Sequence, residues 1–167
     1  MSDQKILDRI AKVLAKAEST THAGEAEALM AKVQAMLEEH NLSLLDVGKA
    51  GDDPVGTDKH MHTFWASNSW VNYVAAGLAR YYGCRTVTTS VGNKRMVSIT
   101  GRESARKTFE LMLPFVLKQV RAQARELVRS GEERSKSTAE RAVGNALAFR
   151  LSRLAHETEQ RDEGRAG

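Results

Sequence analysis

A helix-dominated α+β protein is what this 167-residue sequence predicts, on three observations. Apolar residues recur at steps of three and four through stretches near 3–18, 26–41, 68–82, 104–129 and 138–157, the period of amphipathic helices. Two short runs rich in β-branched residues, Arg85–Thr89 and Arg95–Thr100, flank Ser90-Val91-Gly92-Asn93, the pattern of a hairpin. Between the second and third helical stretches, residues 46–59 hold Gly48, Gly51, Asp52, Asp53, Pro54 and Gly56, which reads as a linker. The expected organisation is a hairpin module over 1–45, the linker over 46–59, an α+β module over 60–158 and a polar tail over 159–167. A two-helix hairpin thus precedes a small three-stranded antiparallel sheet packed by three helices, in the order α-α-β-α-β-β-α-α.

Each element has its own local signals. Ile6, Ile10, Val13, Leu14 and Ala17 form the first stripe, with Ser2 or Asp3 as cap. Ser19-Thr20-Thr21 breaks that helix. Ala26, Met30, Val33 and Leu37 form the second stripe, and Asn41 fits the left-handed position that ends a helix, with Leu42 folding back. A strand is expected near 60–65. Ser67 or Ser69 then caps a helix carrying Trp70, Val71, Val74, Ala75, Leu78 and Tyr82, which Gly83 stops. The next helix, 104–129, contains Pro114, which should bend or interrupt it. Ser137-Thr138-Ala139-Glu140 is a capping box that opens a last helix carrying Val143, Leu147, Leu151 and Leu154.

The hairpin residues carry a family resemblance. Ile6-Leu7-Asp8-Arg9-Ile10-Ala11-Lys12-Val13-Leu14-Ala15-Lys16-Ala17-Glu18, then Thr20-Thr21, then Glu25-Ala26-Glu27-Ala28-Leu29-Met30-Ala31-Lys32-Val33-Gln34, resemble the N-terminal module of the family called domain of unknown function 2786. Its bacterial and phage members share a leucine- and alanine-rich first helix, a threonine-rich turn, and a Glu-Ala start with Lys/Arg-x-Gln in the second helix. The resemblance covers about residues 4–45. Downstream, Thr100-Gly101-Arg102-Glu103-Ser104 and Gly144-Asn145-Ala146-Leu147-Ala148-Phe149-Arg150-Leu151 are similar to a companion C-terminal domain often fused to it. The resemblance implies architecture and brings no activity with it. Some relatives are fused to metalloprotease-like domains, but this chain has no His-Glu-x-x-His.

Composition narrows the function classes. Apolar residues at 41% and charged residues at 28% fit a globular chain rather than a disordered one. No apolar run approaches the ~20 residues that cross a bilayer, and Asp8 and Arg9 already interrupt the first apolar residues, so neither a membrane span nor a secretory leader is expected. The lone Cys84 allows no intrachain disulfide and no multi-cysteine zinc site, as in a reducing cytoplasm. Clustered carboxylates for Mg²⁺ are missing from the predicted sheet, and the phosphate-loop and dinucleotide glycine patterns are absent. No catalytic residue and no cofactor is assigned, and the sequence leans against an enzyme.

Charge is unevenly spread. Residues 1–58 sum to −5, residues 59–102 to +6 with no Asp or Glu, and residues 103–167 to +3. The acid-free segment also holds Phe64, Trp65, Trp70, Tyr73, Tyr81 and Tyr82. Cations interleaved with aromatic rings suit phosphate contact and base stacking. Arg85, Lys94, Arg95 and Arg102 are therefore the candidate contacts, with Trp65, Tyr73 and Tyr81 as stacking rings. Trp70 and Tyr82 fall on apolar stripes and are assigned to the core. Lys118, Arg121, Arg125 and Arg129 line one face of a helix, either as a phosphate-facing stripe or as a solvated face. Gly101-Arg102-Glu103-Ser104 at a helix start could hold an anion on free amides, or could be a tight turn. His60, His62 and Cys84 are weak metal candidates, and Cys84 a weak nucleophile.

These features favour a non-enzymatic, cytoplasmic accessory protein of a bacterium or phage that contacts DNA or RNA through 59–102. The alternative is an adaptor or inhibitor whose acidic hairpin engages a host protein. Homo-oligomerisation is compatible with either.

Overall fold

The computed structural model describes residues 3–17, 23–46 and 53–166. In order they form α1 (Asp3–Ala17), α2 (Ala23–Asp46), β1 (Val55–Trp65), a 3-10 turn (Ala66–Asn68), α3 (Trp70–Tyr81), β2 (Arg85–Val91), β3 (Lys94–Arg102), α4 (Glu103–Arg129) and α5 (Lys136–Ala166). Among the described residues this is the predicted order. The turn expected at Ser19-Thr20-Thr21 lies outside them.

α1 buries Ile6, Leu7, Ile10 and Leu14, and α2 buries Leu29, Met30, Val33, Met36 and Leu37. The two stripes face each other and α4, so the hairpin docks on its own chain and shares one core with the rest. Polar links also fasten α2, among them Tyr82 Oη donating to the Met30 carbonyl at 3.4 Å and Arg150 pairing with Glu27. The helix does not end at Asn41. It runs to Asp46, with Asn41 in helical backbone rather than at a left-handed stop.

β3 is the central strand, flanked by β1 and β2, and both pairings are antiparallel. β1 begins at Val55, inside the stretch read as linker, because β3 is long enough to pair Val55 with Arg102 and Gly56 with Gly101. Gly56 suits that place, since a Cβ there would lie 2.9 Å from the Arg106 guanidinium. Between the pairs Asp58↔Ile99 and His62↔Val97, β1 inserts a bulge. At its centre His60 takes φ 52°, and its amide donates to Ser98 Oγ at 3.1 Å. The β2–β3 turn is the predicted Gly92-Asn93, with Gly92 at φ 59°, a conformation glycine adopts without steric cost.

Side chains alternate across a strand, and the register sorts this sheet into two unlike faces. Phe64, Val97 and Ile99 are buried beneath α3 and α4, and Thr88 Oγ1 on that side donates to Asn72 of α3 at 2.5 Å. The opposite face has no helix across it among the described residues.

α4 runs through Pro114 without interruption. Pro114 is exposed, so its ring lies on the solvent side of the helix, away from the packed interior. α4 starts on an unexpected cap: Ser104 donates its amide and hydroxyl to the Asp53 carboxylate at 2.8 and 2.7 Å. α5 packs along α3 and α4, and glycines let it come close to α3. A Cβ on Gly144 would lie 2.5 Å from the Trp70 ring, and one on Gly77 would lie 3.2 Å from Leu151. Three details of α5 differ from expectation. Its first turn is held by Ser135, whose carbonyl accepts from Ala139 and whose hydroxyl accepts from Thr138. Leu154 points outward, and Ala148 and Ala155 complete the buried stripe with Leu147 and Leu151. Beyond Glu159 the chain stays helical, since Arg80 holds Glu159 by two hydrogen bonds at 2.9 and 2.7 Å.

Candidate nucleic-acid interface

The open sheet face gathers residues from all three strands. β1 gives Val55, Thr57, Thr63 and Trp65; β3 gives Lys94, Met96, Ser98, Thr100 and Arg102; β2 gives Arg85, Val87, Thr89 and Val91. None of them is acidic. Three are cations, five carry hydroxyls, Met96 is half-buried, and the other large apolar ones are well exposed, Val87 at 66% and Trp65 at 56%. Thr57 and Thr100 share a hydroxyl–hydroxyl hydrogen bond of 2.8 Å across the strands. Lys94 stands directly opposite Trp65, its Nζ 5.0 Å from the ring centroid, a cation–π contact.

The predicted residues fall into separate places. Arg85, Lys94, Arg102 and Trp65 share the open face. Arg85 reaches the sheet edge, where its guanidinium is 3.6 Å from Glu159 and still mostly exposed. Arg102 reaches back to the Asp53 carbonyl at 3.5 Å. Arg95 lies opposite Phe64, on the helix-packed face, and its guanidinium donates to the carbonyls of Gly92 and Lys94 at 3.1 Å, bracing the hairpin tip.

Lys118, Arg121 and Arg125 belong to α4, which covers the other face of the sheet, so they do not join this surface. Lys118 and Arg125 are exposed. Arg121 lies over the Trp70 ring at 5.7 Å. Arg129 pairs with Glu126 at 2.5 Å. Of the other rings, Tyr73 is exposed on α3, behind the sheet, whereas Tyr81, Tyr82 and Trp70 are buried.

The start of α4 is not an empty anion site. The Asp53 carboxylate already accepts from the Ser104 amide, and the Pro54 carbonyl accepts from the Glu103 amide at 2.9 Å. The chain thus supplies its own anion where a helix N-terminus favours one.

His60, His62 and Cys84 do not meet as a ligand set. His60 sits exposed in the bulge, while His62 is half-buried, its pKa lowered by burial and by the charge of Arg121. Cys84 packs against Gly101, where an added Cβ would come within 2.5 Å of its sulfur. Burial pushes its thiol up to about 12, with Arg106 opposing, so the thiolate needed for nucleophilic attack is scarce near neutrality. Among the described residues, no group of three or more His, Cys, Asp or Glu side chains is placed to hold a metal, and no helix is long and apolar enough to cross a membrane.

Sequence reading missed the threonine and valine members of the open face. Their signal was the strand alternation itself, but it could be read only once the register across the bulge was known.

The fold and site define a class: a helical hairpin docked on an α+β body whose three-stranded sheet, among the described residues, has one face with no acidic strand residue and no helix across it. The model of the family described as "Protein of unknown function (DUF2786)" matches residues 5–44, which are the α1–α2 hairpin. The likeness of Thr100–Ser104 and Gly144–Leu151 to a companion domain lies outside the matched residues. No curated protein and no solved structure matches the chain.

Proposed function

We propose that this chain is a non-enzymatic accessory protein that contacts nucleic acid through the open face of its sheet. One observation carries the reading: Arg85, Lys94 and Arg102 share that face with an exposed tryptophan and five hydroxyl side chains, none of its strand residues is acidic, and Glu159 reaches it only at the edge, beside Arg85. Cations and hydroxyls contact phosphate and sugar, and an exposed ring contacts bases. The segregation of charge along the chain acts in the same direction, since the segment 59–102 is free of acids.

The test is a titration of the full chain with labelled oligonucleotides across a salt series. Three phosphate contacts give a slope of log affinity against log salt of about −2 to −3. Replacing Arg85, Lys94 and Arg102 together by Gln should flatten that slope and weaken binding to every sequence alike. Absence of binding to DNA and to RNA at low salt overturns the proposal. It would leave the adaptor reading, in which the hairpin engages a protein, as the one to pursue.

A further inference from the structure

The nucleic-acid reading leaves the form of the ligand open, and one corner of the sheet addresses it. Trp65 closes β1 and Lys94 opens β3, so the two are the last pair of the ladder. Just beyond, the amide of Ala66 donates to the Asn93 carbonyl at 2.8 Å, tying the 3-10 turn to the hairpin tip. Arg95 braces the same tip through the Gly92 carbonyl. The backbone beneath Trp65 is thus held from both sides, yet over half of the residue's surface is open. A large ring on a fixed base loses little freedom when it is covered, which is what a stacking platform requires.

Down the face from Trp65 come the hydroxyls of Thr63, Ser98, Thr89 and Thr100, and then Arg102 at the far end of β3. Eight residue steps at ~3.3 Å separate Lys94 from Arg102, about 26 Å along the strand. The two cations therefore mark the ends of a track with an aromatic ring at one of them. A base within a duplex already has both faces stacked on its neighbours and cannot offer one to an indole. An unpaired base can.

We infer that the open sheet face takes a single-stranded polynucleotide, stacking one base on Trp65 as Lys94 moves from its place over the ring to the adjoining phosphate. This rests on the nucleic-acid reading above and adds the strandedness and the stacking residue to it. Charge complementarity selects the occupant: a polyanion meets cations at both ends of the track and no carboxylate on the face between them.

The chain offers a selective probe. It has two tryptophans, and Trp70 is 2% exposed, so quenching of native fluorescence by a ligand reports on Trp65. The full chain is titrated at low salt with an oligo(dT), an oligo(rU), a duplex of the same length and inorganic polyphosphate. Either single strand is expected to quench, a gap between them reporting the contribution of the 2′-hydroxyl. The duplex should bind at least about tenfold more weakly, and polyphosphate should bind without quenching. Read by anisotropy of a labelled oligonucleotide, since neither variant keeps the reporting ring, Trp65→Ala should weaken single-strand binding by about 5- to 150-fold, the range of one lost stack, while Trp65→Phe keeps most of it. Thermal melts of both variants confirm that they fold.

Duplex binding as tight as single-strand binding overturns the inference. So does a folded Trp65→Ala variant that binds like the parent. If in either case the Arg85/Lys94/Arg102 variant still loses affinity, the broader nucleic-acid reading stands alone. Failure of every polynucleotide to bind overturns both.

Discussion

Ser104 gives both its backbone amide and its hydroxyl to the carboxylate of Asp53, fifty-one residues earlier in the chain, and both partners are buried. The pair caps α4 from outside the helix and pins the approach to β1 against the end of β3. Helix caps contribute about 0.5–2 kcal/mol, and a buried donor left without its partner costs about 1–3 kcal/mol. Asp53→Ala is therefore expected to lower the unfolding free energy by ~1–3 kcal/mol in urea titration, and Asp53→Asn by less. An unchanged midpoint for Asp53→Ala would show that the cap contributes nothing.

Gly144 sets how closely α5 approaches α3. A methyl group there meets the Trp70 ring at 2.5–2.9 Å, and a fully buried indole has no free end to swing aside. Gly144→Ala raises helix propensity, which favours the substitution by about 1 kcal/mol. Overpacking opposes it at about 1–3 kcal/mol. The expected net effect is destabilisation with a perturbed Trp70 emission spectrum. A more stable Gly144→Ala protein with an unchanged spectrum would mean the helices can separate freely.

His62 should make stability depend on pH in the weakly acidic range. Burial, and then the charge of Arg121, hold its imidazole below the usual 6.5 in the folded chain. Between the lowered value and 6.5 the unfolded chain binds the extra proton, so stability rises with pH through that window and is lost as pH falls through it. Titration of the imidazole C–H resonances checks this. Arg121→Gln should raise the His62 pKa only partly, since burial is the larger cause. A native imidazole titrating at or above 6.5 contradicts the account.

Much of the fold was legible because its signals are local. The α1 and α2 stripes, the Gly92-Asn93 turn and the Gly83 stop each depend on a few consecutive residues. What escaped depends on distant partners. The start of β1 at Val55 is specified by pairing with Arg102, against the local message of Pro54 and Gly56. The helical continuation past Glu159 is fastened by Arg80 of α3. The cap at Ser104 comes from Asp53, inside the supposed linker. The candidate site shows the same division. The acid-free run was visible in the sequence, but its separation into open-face Arg85, Lys94 and Arg102 and Arg95, which lies on the other face and braces the hairpin tip, required the strand register. The stripe Lys118–Arg125 was correctly placed on one helix, while its position behind the sheet is a tertiary fact.

The docking of α1 and α2 on α4 has a consequence for the matched family segment itself. Ile6, Ile10, Leu14, Val33 and Leu37 bury themselves partly on α4, a helix far downstream in the chain, so the segment 5–44 has the character of a graft that needs a host. Separated from residues 103–129, the hairpin would expose the apolar stripe that α4 now covers. In this chain host and graft are encoded together, which makes the hairpin a fixed part of the body that carries the sheet.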